Sequence, residues 1–254
     1  MVKETDALAE ADRRDGTTFD TAHYDQAYPD GVERHYWHRA RNAVLAAALE
    51  REGLRGAPLL EIGCGRGQVT DALRRAGFDC RGVELAEALP PASVAPFVRT
   101  GIAFQDLPEA ERHAVRGALV LDVLEHVGEP VDFLAQIRAA LPLCERLVVT
   151  VPARRELWSR WDEFYGHRCR YDRATLRGEL DAAGFSVRSC RYFFHGLYPL
   201  ALAFKVFGVT RSTELVAPPE SFVHRAAGRW FAAEAAPLLG FLPGTSLLAV
   251  ASCR

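Results

Sequence analysis

A run of closely spaced glycines beside an acidic residue is the part of this sequence best suited to bind a ligand. An apolar segment that contains Glu61 leads directly into the run. The run consists of Gly63, Cys64, Gly65, Arg66 and Gly67. Glycine allows a strand to turn sharply and lets a ligand approach the backbone without a Cβ in the way. The helix that follows such a turn has free N–H groups in its first turn, so we expect a ligand site here.

The spacing of these glycines argues against a dinucleotide. Nicotinamide and flavin sites typically have a G-x-G-x-x-G pattern whose pyrophosphate lies on the N–H groups of the helix. Here Gln68 occupies the position of the third glycine of that pattern. Glu61 would also place a negative charge next to the pyrophosphate. An acidic residue instead suits the positively charged sulfonium end of S-adenosylmethionine, which is therefore the favoured cofactor, with a nicotinamide-dependent oxidoreductase as the alternative.

Further polar residues follow the ends of other predicted strands. Glu84 ends the second predicted strand, where a carboxylate can accept hydrogen bonds from both hydroxyls of a ribose. Hydrogen bonds to charged groups contribute about 1.5–3 kcal/mol net. The alternative is a solvated loop carboxylate. Because ligands of parallel sheets bind at the carboxyl ends of the strands, Gln105, Asp106 and the segment 122–126 are also expected near the ligand.

Two histidines are candidates for activating a second substrate. His126 follows a strand end on the cofactor side, and His167 lies in a segment rich in tryptophan, tyrosine and arginine. Histidine is the usual general base near neutral pH. The spacing of Asp122, Glu125 and His126 also permits a divalent metal site. Acidic residues at a helix start more often complement the helix dipole, so we expect no metal.

The neighbourhood of each candidate allows a structural alternative. His126 could only pack or cap a helix. The aromatic and arginine side chains around His167 could clamp a planar or anionic acceptor. Alternatively, Asp162 and Glu163 could pair with Arg168 or Arg170, and the segment would then only hold the lid to the sheet. Arg41 on the first predicted helix could meet the carboxylate of the cofactor, and its alternative is an exposed helix residue.

The elements that must position these residues alternate along the chain. Apolar runs predict seven strands, at 57–62, 79–83, within 97–104, and at 117–121, 146–151, 185–192 and 246–252. Helices are predicted at 32–50, 68–76, 130–141 and 172–183. Such alternation is typical of an α/β fold with a doubly wound, mostly parallel sheet that helices cover on both faces.

The chain is expected to be one domain with additions. Residues 1–30 lack a sustained apolar period and are interpreted as an N-terminal arm, and 31–254 as the domain. Two segments interrupt the alternation, about 153–171 and 193–244, and are interpreted as a lid for the acceptor. The apolar stretch 192–208 could be lid core, an acceptor pocket for a hydrophobic or aromatic molecule, a homodimer interface or a membrane-contacting surface.

The composition and net charge of the chain limit the kinds of molecule that it is expected to bind. The chain has 254 residues and a net charge of −2, with scattered Lys and Arg, which disfavours nucleic acid. Its six cysteines form no CxxC pair, so reduced thiols are expected rather than zinc or a disulfide framework. No secretory signal and no apolar run long enough to span a membrane is recognisable, and a cytoplasmic location is expected.

The order of the motifs resembles a known family. LLEIGCGRG, GVE, LVLDVLEHVGEP and LVVTVP, in this order from residue 59 to 152, are similar to the motif series of class I S-adenosylmethionine-dependent methyltransferases. Within that family the similarity is to bacterial small-molecule enzymes such as the ubiquinone-pathway O-methyltransferases. HYWHRARN, LWSRWDEFYGHRCRY and PGTSLLAV resemble segments of a bacterial subgroup with mostly unassigned acceptors. A non-catalytic module that only binds the cofactor is a further alternative.

The resemblance implies a Rossmann-like methyltransferase fold with an antiparallel last strand, and O- or N-methylation of a small acceptor. It implies that the glycines line the cofactor and that Glu84 holds its ribose. Asp106 and Leu107 would flank the adenine, and Asp122 and His126 would lie beside the methionine portion. The chain departs from the family pattern at Gly117-Ala118 and Leu143-Cys144-Glu145, which lie away from the glycine turn.

Overall fold

A seven-stranded sheet forms the centre of the molecule. The computed structural model describes residues 31–208, 221–233 and 240–253, so the expected arm at 1–30 lies outside the described residues. The strands are β1 (Leu59–Ile62), β2 (Cys80–Glu84), β3 (Val98–Thr100), β4 (Gly117–Leu121), β5 (Arg146–Pro152), β6 (Phe185–Phe193) and β7 (Ser246–Cys253). The α-helices are α1 (Tyr36–Arg51), α2 (Gln68–Arg75), α3 (Glu109–Ala114), α4 (Pro130–Ala140), α5 (Arg160–Phe164), α6 (Arg173–Ala182), α7 (Leu197–Val206) and α8 (Phe222–Ala232).

The order of the strands is β3-β2-β1-β4-β5-β7-β6. The first five strands in the chain are parallel to one another. The last strand in the chain, β7, inserts between β5 and β6 and is antiparallel to both. The predicted fold, a doubly wound and mostly parallel sheet with an antiparallel last strand, is confirmed. The carboxyl ends of β1, β2 and β4 therefore meet at one edge of the sheet.

The sheet is buried on both faces. Along β5, Leu147 and Val149 pack into the apolar core on one face, and Val148 packs into the core on the other. Along β7, neighbouring residues alternate in the same way, with Leu247 in the first core and Leu248 in the second. Burial on both faces explains why these strands read as unbroken apolar runs in the sequence.

Helix ends follow from local residues. Asp172 accepts a hydrogen bond from the backbone N–H of Thr175 (2.8 Å) and begins α6, and Gly184 follows its end with a φ of +87°. The first predicted helix starts later than expected, because a 3-10 turn at Val32–Arg34 precedes α1. Helix α3 was not predicted, since none of its residues is buried and its sequence has no apolar stripe.

The two interrupting segments contain helices. The first contains a 3-10 turn at Arg155–Leu157 and α5. The C-terminal end of this segment is hydrogen-bonded to the residues that follow β4. The backbone N–H of Arg168 donates to the carbonyl of Glu125 (2.7 Å), and the hydroxyl of Tyr171 donates to the carbonyl of Leu124 (3.3 Å). The second contains α7 and α8, and α8 packs along α1. Their role as a lid stays a prediction.

None of the helices within the described residues is long and apolar enough to cross a membrane.

Candidate functional site

The glycine turn adopts a backbone conformation that requires glycine. Gly63, Gly65 and Gly67 have φ values of +74°, +53° and +82°. A Cβ on Gly63 would lie 2.6 Å from Cγ2 of Val123, and one on Gly67 would lie 2.7 Å from Cγ2 of Val98. Side chains at these positions would be strained by both φ and contact. The turn therefore packs directly against the segment that follows β4.

Glu84 holds this turn. Its carboxylate is buried at the end of β2, where Oε2 accepts from the backbone N–H of Gly65 (2.8 Å) and Oε1 from that of Ala86 (3.0 Å). The alternative of a solvated carboxylate is therefore wrong. Each oxygen keeps a second lone pair, as a carboxylate has about four acceptor sites. Glu84 can thus fix the turn and still accept from a ligand.

Glu61 is engaged inside the fold. Its side chain is buried, and Oε2 accepts from the hydroxyl of Thr70 in α2 (2.5 Å). Burial raises the pKa of Glu61 to about 7, although Thr70 and the charge of Arg41 act in the opposite direction. Glu61 thus links β1 to α2. Its predicted place beside a cationic ligand stays a prediction.

Arg41 and Asp122 form an ion pair across the top of the sheet. Arg41 Nη1 donates to Oδ2 of Asp122 (2.7 Å), and the hydroxyl of Thr150 in β5 donates to Oδ1 (3.2 Å). The guanidinium of Arg41 also stacks on Trp37, at 4.6 Å from the ring centroid. Arg41 is buried, so its alternative as an exposed helix residue is wrong. Asp122 has a φ of +54°, which is rare for a residue with a side chain.

A second group of polar side chains lies next to this ion pair. Glu125, His126 and His167 each offer one ligand-type atom, and these three atoms lie within 4.8 Å of one another. We call these three residues the Glu125 cluster. The rings of the two histidines meet edge to face with centroids 5.0 Å apart, and Nε2 of His167 lies 4.0 Å from Oε1 of Glu125. The fold thus brings His126 and His167 together, although they come from different segments.

Glu125 is an unusual carboxyl group. It is 1 % exposed, and neither of its side-chain oxygens has a hydrogen-bond partner. Burial, and secondarily the charge of Asp122, raises its pKa well above the ordinary value. A buried ionised carboxylate needs a cation or hydrogen-bond donors, so this group is suited to bind something that supplies them.

Asp162 in α5 orients His167. Its Oδ1 accepts from Nδ1 of His167 (2.9 Å) and from Nε of Arg170 (2.7 Å), and Oδ2 accepts from the backbone N–H of Ser159 (2.8 Å). Although burial raises the pKa of Asp162, the His167 and Arg170 hydrogen bonds lower it to about 2. Asp162 is therefore ionised, and it directs Nε2 of His167 to the Glu125 cluster. The structural alternative, an Asp162–Arg170 pair, is also present.

The histidine on the other side of the cluster is neutral at physiological pH. Burial lowers the pKa of His126 to about 4, and the neighbouring His167 adds to this effect. A neutral imidazole can accept a proton or bind a metal through a ring nitrogen. The arrangement therefore offers two imidazoles and one carboxyl group at the carboxyl end of β4.

A comparison with protein families decides the class of this domain. A family model described as "Methyltransferase domain" matches residues 34–189, which is more than half of the chain. The chain belongs to this family. It contains a class I methyltransferase domain, and S-adenosylmethionine is the cofactor of that class.

The methyltransferase is similar to several known proteins. It is 30% identical over 112 residues to the ubiquinone biosynthesis O-methyltransferase of Hahella chejuensis, a match that covers 40% of this chain and 46% of that protein. The chain thus spans less than half the length of the curated relatives it matches.

Solved structures share its fold. A Haloferax volcanii methyltransferase, determined in complex with the Trm112 methyltransferase activator, has a TM-score of 0.54 and 17% identity, over 93% of this chain and 98% of that chain. An S-adenosylmethionine-dependent methyltransferase from Thermotoga maritima has a TM-score of 0.50 and 18% identity, over 91% of this chain and 99% of that chain.

The residues around the turn fit S-adenosylmethionine. Three carboxyl groups, those of Glu61, Glu84 and Asp122, lie at or near the carboxyl ends of β1, β2 and β4, around a turn that contains three glycines. The buried cation Arg41 pairs with one of them, Asp122. An excess of carboxylates favours a ligand with a positive charge. The three glycines have no side chains to obstruct a ligand, and the side chain of Cys64 in the same turn is buried.

Gln105, Asp106 and Leu107, which were predicted to lie near the cofactor, differ from one another in burial and in their contacts. They lie at a 3-10 turn, Phe104–Asp106, and just after it. Gln105 is exposed and donates to the side chain of Gln136 in α4 (2.8 Å), so it is directed to the helix layer instead of the turn. Asp106 is exposed and Leu107 is buried in the apolar core. Contact of these three residues with the cofactor stays a prediction.

Sequence reasoning missed two residues that shape the site. Thr70 binds Glu61, and Asp162 positions His167. The sequence did contain a signal at Asp162, because Ser159 and Asp162 have the spacing of a capping box at a helix start. Both hydrogen bonds of this capping box form in the structure. The sequence contains no comparable signal for Thr70.

Proposed function

We propose that this methyltransferase transfers the methyl group of S-adenosylmethionine to an oxygen of a small organic acceptor that binds at the Glu125 cluster. The observation that supports this most is that Glu125 has two unpartnered carboxyl oxygens close to two imidazoles, two residues after Val123, which packs on the glycine turn. The names of the similar relatives, both ubiquinone biosynthesis O-methyltransferases, favour oxygen over nitrogen.

Positioning accounts for much of the proposed activity. When bound, S-adenosylmethionine supplies a methyl group that is already electrophilic. The chain's own residues then have to hold the acceptor in line with it, and such positioning can lower a barrier by ~7–11 kcal/mol. The turn and Glu84 fix one side of the site, and the Glu125 cluster fixes the other, since Val123 connects the two.

His167 is the proposed proton acceptor. Nδ1 of His167 lies 2.9 Å from Oδ1 of Asp162, and Nε2 lies on the side of the Glu125 cluster. In the neutral tautomer that donates from Nδ1, Nε2 carries no proton and can accept one. An ionised aspartate in this position orients the imidazole and stabilises its protonated form. His126 lies against the same ring and, being neutral, adds no opposing charge. An acceptor hydroxyl at Nε2 would therefore lose its proton as the methyl group is transferred.

A divalent cation at the same cluster is the second candidate. Two imidazoles and a carboxylate on one face of a cation leave further positions open for an acceptor oxygen. Nδ1 of His167 hydrogen-bonds to the carboxylate of Asp162, and such a carboxylate commonly orients a histidine that binds a metal through its other ring nitrogen. Asp122, one of the ligands considered from sequence, is instead tied to Arg41 and Thr150. If a cation binds at the Glu125 cluster, the cation instead of His167 would activate the acceptor.

His167→Gln tests the proposed function. General-base catalysis contributes roughly 10²–10⁴-fold, so we expect kcat to fall by about a hundredfold or more while the Kd for S-adenosylhomocysteine is unchanged. S-adenosylhomocysteine formation is measured with a panel of phenolic, carboxylic and amine acceptors. The matched control is His113→Gln, an exposed histidine of α3.

The outcomes separate the alternatives. Full activity of His167→Gln would contradict the role of His167. Turnover of amine acceptors alone would contradict the proposed oxygen acceptor. Binding of S-adenosylhomocysteine without turnover of any acceptor would favour a module that only binds the cofactor, and binding of NADH in its place would favour an oxidoreductase.

A further inference from the structure

Two cysteines meet at the end of the sheet opposite the candidate site. Cys144 precedes β5 and Cys253 ends β7, whereas the candidate site lies at the carboxyl ends of β1, β2 and β4. The backbone N–H of Cys253 donates to the carbonyl of Glu145 (3.2 Å), which fixes β7 next to the segment that contains Cys144. Both cysteines line a surface cleft of about 360 Å³.

The two thiols differ in exposure. Cys144 is buried in the apolar core, and its Sγ contacts the carbonyl of Arg146 (3.2 Å). Cys253 is partly exposed at the edge of the same core. The cleft gives a small polar molecule access to Cys253, and its other lining residues include Arg116 and Arg146. Positive charge next to an accessible thiol favours the reactive thiolate.

The thiols also interact with each other. The hydrogen bond with Cys144 lowers the pKa of Cys253, burial opposes this, and the charges of Arg146 and Arg138 lower it further. The same hydrogen bond, and then burial, raises the pKa of Cys144. The backbone agrees with this proximity, since Ser252 pairs with Arg146, the N–H of Cys253 binds the carbonyl of Glu145, and both cysteines line one cleft.

We propose that Cys144 and Cys253 are a redox-modification site in which a hydroperoxide oxidises Cys253 and Cys144 then closes a disulfide. In the first step the Cys253 thiolate attacks one oxygen of the peroxide, an S–O bond forms and the O–O bond breaks. The leaving oxygen takes up a proton, as water for hydrogen peroxide or as an alcohol for an organic hydroperoxide. In the second step the Cys144 sulfur attacks Cys253, the S–S bond forms, the S–O bond breaks, and water leaves with the proton of Cys144. Two thiols are oxidised and one peroxide is reduced.

The other four cysteines lack this combination. All of them lie in the described part of the chain, and each has a raised pKa whose largest cause is burial: Cys64, Cys80, Cys169 and Cys190. Among the six cysteines, Cys253 is therefore the one that combines a lowered pKa with a neighbouring thiol and nearby arginines.

The disulfide would change the stability of the fold. It would join β7 to the segment before β5 and close a long loop, which restricts the unfolded chain most when the loop is long. The candidate site lies at the other end of the strands, so binding of S-adenosylhomocysteine should persist in the oxidised protein. The proposal is independent of which acceptor is methylated.

Peptide mapping of the peroxide-treated full chain tests the proposal. After a stoichiometric dose of hydrogen peroxide we expect loss of two of the six free thiols, a mass lower by two hydrogen atoms, and one Cys144–Cys253 linked peptide under non-reducing conditions. Dithiothreitol should restore all six thiols. The Tm of the oxidised protein should rise by several degrees, and the Kd for S-adenosylhomocysteine should stay the same.

Three variants test which cysteines form the disulfide. Cys253→Ser should form no disulfide, and Cys144→Ala should accumulate oxygen adducts on Cys253, since the resolving thiol is missing. Cys190→Ser, a partly buried cysteine of β6, is the matched control and should behave like the unsubstituted chain. A disulfide between other cysteines, a disulfide that persists in Cys253→Ser, or an unmodified Cys253 in the treated chain would overturn the proposal.

Discussion

Among single residues, Glu125 has the least ordinary surroundings. A carboxyl group without hydrogen bonds in a buried position is unfavourable when it is ionised, and a cation relieves this cost. Removing its charge while keeping its shape should therefore affect binding more than folding. The two imidazoles beside it would remain in Glu125→Gln.

We expect Glu125→Gln to lose binding of a divalent cation at the cluster. A carboxylate is the charged ligand of the three, so the Kd for Mn²⁺ should rise by at least about tenfold, which corresponds to about 1.4 kcal/mol. Calorimetric titration of Mn²⁺ into the purified, chelator-treated chain measures this. Glu163→Gln, on α5 but outside the cluster, is the control.

The thermal stability of Glu125→Gln gives a second readout. A neutral amide relieves the cost of a buried charge, so Tm should be unchanged or higher. If the unsubstituted chain binds no Mn²⁺ and Glu125→Gln keeps full methyl transfer, the cation candidate is contradicted, and His167 remains the group proposed to accept the proton.

Glu84→Ala should weaken cofactor binding through two lost contacts. The variant loses the acceptor for the Gly65 N–H as well as the proposed ribose contact. Charged hydrogen bonds of about 1.5–3 kcal/mol predict a Kd for S-adenosylhomocysteine that is roughly 10–150 times higher, measured by calorimetry. The control is Glu109→Ala, an exposed carboxylate of α3. An unchanged Kd would remove Glu84 from the cofactor site.

At the scale of elements, the turn between β1 and α2 depends on its glycines. Gly63→Ala places a methyl group against Val123 and forces an alanine into a left-handed conformation. Residues in such conformations cost of order 1–3 kcal/mol each. We expect the free energy of unfolding to fall by about this amount and S-adenosylhomocysteine binding to weaken, as urea titration and calorimetry would measure.

A matched alanine substitution lies in α6. Gly178 has no atom within 4 Å of its missing Cβ, so Gly178→Ala should stabilise the chain by about 0.5–1 kcal/mol, because alanine is the better helix former. Equal effects of the two substitutions would contradict the argument that the turn is constrained by the site.

Most elements could be predicted from the sequence, and the reason is burial. Strands such as β4 and β5 are apolar on both faces, so they appear as short apolar runs between turn residues. Helix α3 could not be predicted, because it packs no residue into the core. The order of the strands has no local signal, since the insertion of β7 between β5 and β6 is decided by packing.

The candidate site could be predicted only in part. Glu84 and the glycines are adjacent to strand ends, so their convergence follows from a parallel sheet. The meeting of His167 with Glu125 could not be predicted, because it depends on the fastening of residues 166–171 to the segment after β4. The ion pair of Arg41 with Asp122 joins a helix to a strand end and has no sequence signal either.

For the whole molecule, the raised pKa of Glu61 links stability to pH. Its pKa is raised from 4.5 to about 7, so the folded chain holds a proton that the unfolded chain releases between these values. The contribution of Glu61 to the stability of the folded chain is fully present below pH 4.5. It is lost as the pH rises to about 7. Thr70, Arg41 and Glu84 are the groups that act on it.

Urea titrations at pH 5 and pH 8 measure this contribution. Glu61→Gln keeps an acceptor for Thr70 and removes the titration, so its stability relative to the unsubstituted chain should be higher at pH 8 than at pH 5. The difference should be at most about 3 kcal/mol, since one pKa unit corresponds to about 1.36 kcal/mol. A relative stability that does not change between the two pH values would contradict the raised pKa.

The position of β7 also constrains how the chain folds during its synthesis on the ribosome. Strand β6 pairs with β7 alone among the described strands, and β7 separates it from β5. Residues 185–193 leave the exit tunnel well before 246–253, so during synthesis β6 has no native strand beside it. Until then, the hydrogen-bonding edge of β5 that β7 later covers is open to wrong partners. Completion of the sheet, and with it protection from aggregation, thus waits for translation of the last strand.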